Sequence, residues 1–350
     1  MAATLIIRLS SLGDVAMLIP VLYSVARQYT GEQFFLLTKS PLKPLLECRP
    51  DNVHIIRFFN HGKHKGVFGL FRLIFSLSKL KITNIADTHN VIRSQVIRLF
   101  FRLKGKKTAV LNKGRREKKA LTRQHNKIFQ PLKTSIQRYQ DVFSKLGYRF
   151  DLTFHSIYEF GTRNFEILAP FTGKKEGTWI GIAPFAKHQG KIYPLKKMEE
   201  VIYNLTKRPG IRLFLFGGKE EETQLEYWSL RYSGVTSVAG HFSFENELLL
   251  MSYLDGFISM DSGNMHLASL AGIPVVSIWG ATHPHAGFYG YGQHPGHIVQ
   301  IGLDCRPCSV YGNKPCFRKD YACMNIPPES VYQALFKVLN QDTRYDRNIS

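Results

Sequence analysis

Phe257 to Gly280 reads FISMDSGNMHLASLAGIPVVSIWG, and the fold follows from how this stretch is punctuated. Phe257 to Met260 is an apolar run short enough for a buried strand. The break at Asp261-Ser262-Gly263 is polar, and Asn264 to Ala271 then has helical spacing. Ser262 supplies an N-cap and Gly272 a stop. A second strand, Pro274 to Trp279, follows at once and ends in Gly280. Strand, polar turn, helix start and strand, in that order, is how an open α/β sheet builds a ligand crevice beyond the carboxyl ends of its strands. Free amides at such a helix start attract phosphate.

The same alternation extends outward over the chain. Thr4 to Leu9 reads as a first strand, Ser10 to Asp14 as a turn and Val15 to Tyr29 as a helix. Phe34 to Thr38, His54 to Phe58 and Ile82 to Asp87 follow as strands, with a helix over Val67 to Leu80. Lys127 to Leu146 reads as another helix. The grammar restarts with a strand at Trp179 to Ala183, a helix at Leu195 to Lys207 and a strand at Arg212 to Phe216. Glu220 to Arg231 then reads as helix, Val235 to Val238 as strand and Glu245 to Tyr253 as helix, and Pro328 to Asn340 as a closing amphipathic helix. Repeated alternation of this kind predicts parallel sheets covered on both faces. At 350 residues two domains are expected, 1–165 and 175–350, joined through Gly161 to Glu176 and enclosing a cleft.

Lys and Arg outnumber Asp and Glu by 47 to 26, a formal charge of +21, which favours acidic partners such as nucleic acid, anionic lipid or phosphorylated substrates. Twelve of these cations lie between Arg98 and Lys127, against the single acid Glu117. That segment reads as a surface for acidic sugars and phosphates or for an anionic inner-membrane leaflet, or as a merely solvated face. A nucleic-acid reading lacks interleaved aromatics on a recognisable module, so no nucleic-acid partner is expected. No apolar run reaches the roughly 18 residues of a membrane span, and the chain opens without a charged leader, so a cytoplasmic protein is expected.

Several residues carry chemistry in this framework. Asp14, at the edge of the first strand, either caps a helix dipole or accepts a proton from a substrate hydroxyl. Asp261 precedes its cap and is expected to be free for sugar hydroxyls, with the amides after it on phosphate. His266 falls in the first helical turn, on the side of Ser262, as a packing residue or a ligand contact. Lys187 and Lys191, in the loop from Gly181 to Pro194, can wrap a diphosphate as point charges. Glu221 follows the Gly217-Gly218 turn, where an acid suits a ribose hydroxyl. Neither G-x-x-x-x-G-K-[ST] nor G-x-G-x-x-G occurs.

R8-L-S-S-L-G-D14, the Lys191 loop ending in Pro194, Gly217-Gly218, and D261-S-G-N-M-H266 followed by A271-G-I-P-V-V together resemble the glycosyltransferase family 9 heptosyltransferases. The resemblance implies a GT-B fold and a metal-independent, inverting transfer of heptose from ADP-heptose to the inner core of lipopolysaccharide. It implies Asp14 as general base, Lys191 against the leaving diphosphate and Glu221 on the ribose. It further implies Asp261 on the sugar, Ser262, Gly263 and His266 along the phosphates, and Phe242 against adenine. Ser10, Ser11 and Gly13 would line the acceptor. Tyr193 stands where the family often has Trp. A transferase of the same fold with another donor or acceptor remains the alternative.

Four of the five cysteines fall at Cys305, Cys308, Cys316 and Cys323, with two, seven and six residues between them. In a reducing compartment this spacing suits a structural Cys₄ zinc site, with a redox pair at Cys305 and Cys308 as the alternative. No metal or other cofactor is expected in the chemistry.

Overall fold

Short strands, the central ones mainly apolar and buried on both faces, organise two separate parallel sheets, as expected when helices cover each side. The computed structural model describes residues 2–59, 61–160 and 163–342. The chain forms two compact units, Met1–Lys113 with Lys133–Thr162, and Gly114–Leu132 with Arg163–Ser350. The segment Gly114–Leu132 therefore leaves its sequence neighbours and packs in the second unit. Of the linker expected over 161–176, residues 161 and 162 lie outside the described residues.

In the first unit, β1 (Ala3–Ile7) leads into α1 (Leu12–Gln28), β2 (Gln33–Lys39), β3 (Val53–Phe58), α2 (Gly66–Ser78), β4 (Asn84–Asp87), α3 (Ile92–Leu103) and β5 (Lys107–Val110). Then α4 (Arg115–Leu121) belongs to the second unit, and α5 (Ser135–Leu146) returns to the first. The strand order is β3-β2-β1-β4-β5, all parallel, so the order reverses between β1 and β4. Ile7 pairs with Asp87 in that register, and the two loops that follow start side by side.

The second unit runs through α6 (Ala169–Thr172), β6 (Thr178–Ala183), α7 (Leu195–Thr206), β7 (Ile211–Leu215), α8 (Glu222–Arg231) and β8 (Val235–Ser237). It continues with α9 (Phe244–Met251), β9 (Gly256–Met260), α10 (Gly263–Leu270), β10 (Val275–Ile278), β11 (Ile298–Val299) and α11 (Pro328–Asp342). The order β11-β10-β9-β6-β7-β8 is again all parallel and reverses between β6 and β9. Both sheets thus have a Rossmann-like order with one switch point each, where ligands bind in open α/β sheets.

Two local expectations change. The first helix begins at Leu12, because Asp14 in its first turn accepts from the Ser11 amide, so Gly13 and Asp14 are helical rather than in the preceding turn. Residues 127–134 are irregular rather than helical. Pro131 lacks an amide donor, and Thr134 begins the helix anew by accepting from Gln137 N while Gln137 returns a bond to Thr134 N. Within the basic segment, β5 and most of α4 and α3 are regular structure. Among the described residues, no helix is long and apolar enough to cross a membrane.

Candidate active site

The switch point of the first unit gathers Arg8, Asp14 and His89. Arg8 leaves the end of β1 almost fully buried, with its side chain 6% exposed, and its NH2 lies 2.5 Å from Asp14 Oδ2. The same carboxylate oxygen accepts from Ser11 Oγ at 2.7 Å and Ser11 N at 3.2 Å. Burial of Asp14 acts to raise its pKa, but the Arg8 charge and the Ser11 hydrogen bonds outweigh it and hold the carboxyl below its ordinary value. Asp14 is therefore an ionised acceptor, 28% exposed, fixed at three points. Arg8 also donates to Thr88 O at 2.5 Å, and Tyr139 Oη donates to Asp14 O at 3.3 Å.

His89 enters from the neighbouring strand end. Its Nδ1 accepts from Leu9 N at 3.3 Å, which leaves the proton of the neutral ring on Nε2. Burial first, then the Arg8 and Lys113 cations, push its pKa down to about 4, so the ring is neutral at physiological pH. Asp87 is buried and anchors this loop, accepting from Asn90 N at 2.7 Å and pairing with Arg98 at 3.0 Å.

In the second unit the aligned ends of β6 and β9 bring a second group of polar residues together. Ala183 is in register with Ser259, so the Lys191 loop and Asp261 emerge from adjacent strands. Lys191 Nζ lies 2.8 Å from Asp261 Oδ2, with the side chains only 15% and 5% exposed. Asp261 is thus already engaged by a cation and not free as expected. Ser262 stands at the N-cap position of α10 but its hydroxyl meets Ser259 Oγ at 3.3 Å rather than a helix amide, Gly263 opens the helix, and His266 is buried in its first turn. Lys187 is exposed on the loop, and burial together with Lys191 and Lys187 depresses the His188 imidazole. The two lysines put positive charge, of the sign a diphosphate needs, on the loop that follows β6.

Glu221 does not stand clear of its turn. Its Oε2 accepts from Gly218 N, and Glu221 N donates to Gly218 O at 3.0 Å, closing the turn after β7. Phe242 is half-buried, with its ring 4.7 Å from that of Phe171. Ser10, Ser11 and Gly13 border Asp14 in the first unit. The structure thus brings Ser11 to Asp14 and Lys191 to Asp261, while Glu221 and Phe242 lie on other turns of the second sheet.

The sequence reading missed Arg8, His89 and Gly312. Gly312 has φ +74°, and a Cβ there would lie 2.6 Å from Lys191 Cγ, so the stem of Lys191 rests against this glycine. Gly190 likewise tolerates no side chain, since its Cβ would meet Ala281 Cβ at 2.8 Å. Gly190 O accepts from Ala281 N at 2.8 Å.

Cys305, Cys308, Cys316 and Cys323 are free thiols that line one small cavity. Burial raises the Cys308 thiol and pushes Cys323 up to about 11. Among the described residues no group of three or more His, Cys, Asp or Glu is placed to hold a metal ion. No step below runs through a metal.

The model of glycosyltransferase family 9 (heptosyltransferase) matches residues 70–315. The chain belongs to this family. It is 23% identical over 332 residues to lipooligosaccharide heptosyltransferase 2 of Campylobacter jejuni, a match that covers 93% of this chain and 96% of the relative. Among solved structures it resembles the E. coli ADP-heptose lps heptosyltransferase II, with a TM-score of 0.71 and 16% identity, over 98% of this chain and 100% of that one. An E. coli heptosyltransferase solved with ADP gives a TM-score of 0.69 at 17% identity, covering 96% and 99% of the two chains. The two parallel Rossmann-like sheets are those of the GT-B fold expected from the motifs. The chain is a family 9 glycosyltransferase.

Proposed function

We propose that the enzyme moves a heptose from ADP-heptose to the inner core of lipopolysaccharide, with inversion at the anomeric carbon. The observation that carries this reading is the Lys191–Asp261 pair beside the start of α10, at the second sheet's switch point. A cation held by a carboxylate at a helix N-terminus is poised to exchange partners when a diphosphate arrives. The names of the two E. coli proteins support an ADP-linked donor, and that of the Campylobacter relative a lipooligosaccharide acceptor.

In this mechanism the Asp14 carboxylate takes the proton of the acceptor hydroxyl as that oxygen bonds to the anomeric carbon. The bond from that carbon to the distal phosphate oxygen breaks, and its electron pair leaves with ADP. Lys191, released from Asp261, meets the charge on the departing diphosphate together with the amides of Ser262 and Gly263 and with Lys187. Such preorganised groups supply much of the catalysis in charge-developing reactions. Asp261, freed of Lys191, accepts from sugar hydroxyls, and His266 borders the phosphates. Glu221 serves the ribose and Phe242 the adenine, while Ser10, Ser11 and Gly13 border the acceptor. The first unit takes the acceptor and the second the donor. A cytoplasmic setting accords with five free cysteines.

A melting-point screen over nucleotide sugars tests the donor. ADP-heptose at 100 times its Kd adds about 2.7 kcal/mol of stability. UDP- or GDP-sugars shifting the melting point equally would overturn the donor assignment, and a product with retained anomeric configuration would overturn the displacement.

A further inference from the structure

We propose that the outer faces of α2 and α3 seat the enzyme on an anionic lipid bilayer. The two helices pack side by side against the first sheet. Their inner faces, including Leu73, Ile74, Leu77, Ile97 and Phe101, share one core cluster. Which residues face solvent is therefore settled by packing, and beside Arg72, Ser76, Gln95 and Arg102 they include a row of large apolar side chains on each helix.

On α2 the solvent face carries Val67, Phe68, Phe71 and Phe75, with Phe68 91% exposed. At 3.6 residues per turn these four lie within an arc of about 100°. On α3 the solvent face carries Ile92, Val96, Leu99 and Leu103, the last 79% exposed, within an arc of about 60°. Each helix thus has two apolar faces, one for the core and one left exposed among the described residues. Contiguous exposed apolar surface of this kind marks an interaction site.

The charge around these stripes selects the occupant. From Phe59 to Lys107 the sequence holds eleven Lys and Arg and one acid, Asp87. Asp87 is buried and paired with Arg98, so it offsets none of the surface charge. Lys79 Nζ lies 5.0 Å from the centre of the Phe75 ring, and Lys104 Nζ 4.6 Å from that of Phe100. Aromatic and aliphatic rows rimmed by ammonium groups fit the boundary between acyl chains and anionic headgroups. A second copy of this chain fits worse, because a two-fold dimer would press this cationic patch against itself. Nucleic acid would answer the cations but leave eight large apolar side chains without apolar partners. The inference is independent of which sugar is transferred.

Flotation of the full chain with vesicles tests it. Binding is expected to phosphatidylcholine vesicles containing phosphatidylglycerol, weakening as salt rises, and not to phosphatidylcholine alone. The pair Phe68→Ser with Phe71→Ser, and separately Leu99→Ser with Leu103→Ser, should each lower the vesicle partition coefficient at least tenfold with an unchanged melting point. Should a serine variant not fold, Lys79→Glu with Lys104→Glu, which touches only exposed charge, is expected to give a similar loss. Failure of the wild type to float with anionic vesicles, or folded variants that bind as well as it does, would overturn the proposal. So would a wild-type dimer in sedimentation that Phe68→Ser with Phe71→Ser turns into monomers.

Discussion

Lys191 and Asp261 reach each other from loops that follow adjacent parallel strands, 2.8 Å apart, with side chains 15% and 5% exposed. Removing either partner strands the other in a buried position. Lys191→Met is therefore expected to cost about 1–3 kcal/mol of stability and to lower kcat by about 10²–10³ through loss of transition-state charge stabilisation. A double-mutant cycle with Asp261→Asn should show the two coupled in the free enzyme. If Lys191 changes partner on binding, the coupling measured by melting should fall once ADP is saturating. An unchanged coupling would mean that the pair is purely structural.

The Asp14–Arg8 pair sets the acid limit of activity. Asp14 is held below its ordinary value by the Arg8 charge acting against burial. Asp14 is thus ionised across physiological pH, and with the base role proposed for it kcat/KM should fall only at strongly acid pH. Arg8→Met removes the charge that favours the carboxylate but keeps the burial that opposes it, so the acid limb should move to higher pH. Asp14→Asn is expected to lower kcat by about 10²–10⁴ at every pH while the protein stays folded. Rate profiles of the three proteins decide the point, and an acid limb unmoved by Arg8→Met would refute the assignment.

Gly312 supports Lys191 from a distant loop. Its φ of +74° disfavours any side chain, and an added Cβ would press on Lys191 Cγ at 2.6 Å. Gly312→Ala should cost about 1–2 kcal/mol for the left-handed backbone. It should also lower kcat several-fold by displacing the ammonium. Comparing it with Gly292→Ala, also at positive φ but with open space for a Cβ, separates displacement from backbone strain.

Much of this was legible because parallel sheets write themselves as short apolar runs followed by polar turns. Asp14, Lys191 and Asp261 all follow such runs, so their position at strand ends could be read locally. His89 could not, since its partner Leu9 lies 80 positions away and meets it only once β1 pairs with β4, and the Arg8–Asp14 pair, though six positions apart, depends on how the turn between them folds back. The engagement of Asp261 with Lys191 was hidden for the same reason. The edge strands were missed because Lys107–Val110 is short and polar at its ends, and Ile298–Val299 has only two residues. The role of Gly312 depends on a contact across a cysteine-rich loop that has no periodicity. By contrast, Pro131 inside the expected helix was a local stop signal available from sequence.

Glu247 gives a pH dependence separate from catalysis. Burial pushes its carboxyl up to about 7 in the folded protein. Because the folded value lies above the unfolded one, its contribution to stability is complete below the unfolded value and is lost as pH rises through about 7. Glu247→Gln keeps the shape and removes the charge. It is expected to raise stability by about 2 kcal/mol at pH 8 and to change it little at pH 4. Melting curves at the two pH values test this, and an equal shift at both would implicate packing rather than ionisation.

Arg306 ties the cysteine-rich segment to the donor half. It is buried, and its guanidinium donates through Nε to Gly280 O at 2.5 Å and through NH2 to Trp279 O and Thr282 O at 3.0 Å each. NH1 donates to Ile301 O, and NH2 also reaches Gln300 Oε1 at 2.9 Å. The carbonyls of Trp279, Gly280 and Thr282 follow β10, and Ala281 between them donates to Gly190 O, one residue before Lys191. Lys cannot reproduce a planar fork of this kind, so Arg306→Lys leaves several buried carbonyls unpaired. A loss of about 2–4 kcal/mol is expected. Because the strain passes through Ala281 to Gly190, ADP affinity should fall as well. Asn325→Ala, which removes the hydrogen bond to Lys197 on α7, should lower stability slightly and spare ADP binding. Arg306→Lys binding ADP like the wild type would show that the loop merely covers the sheet and does not position Lys191.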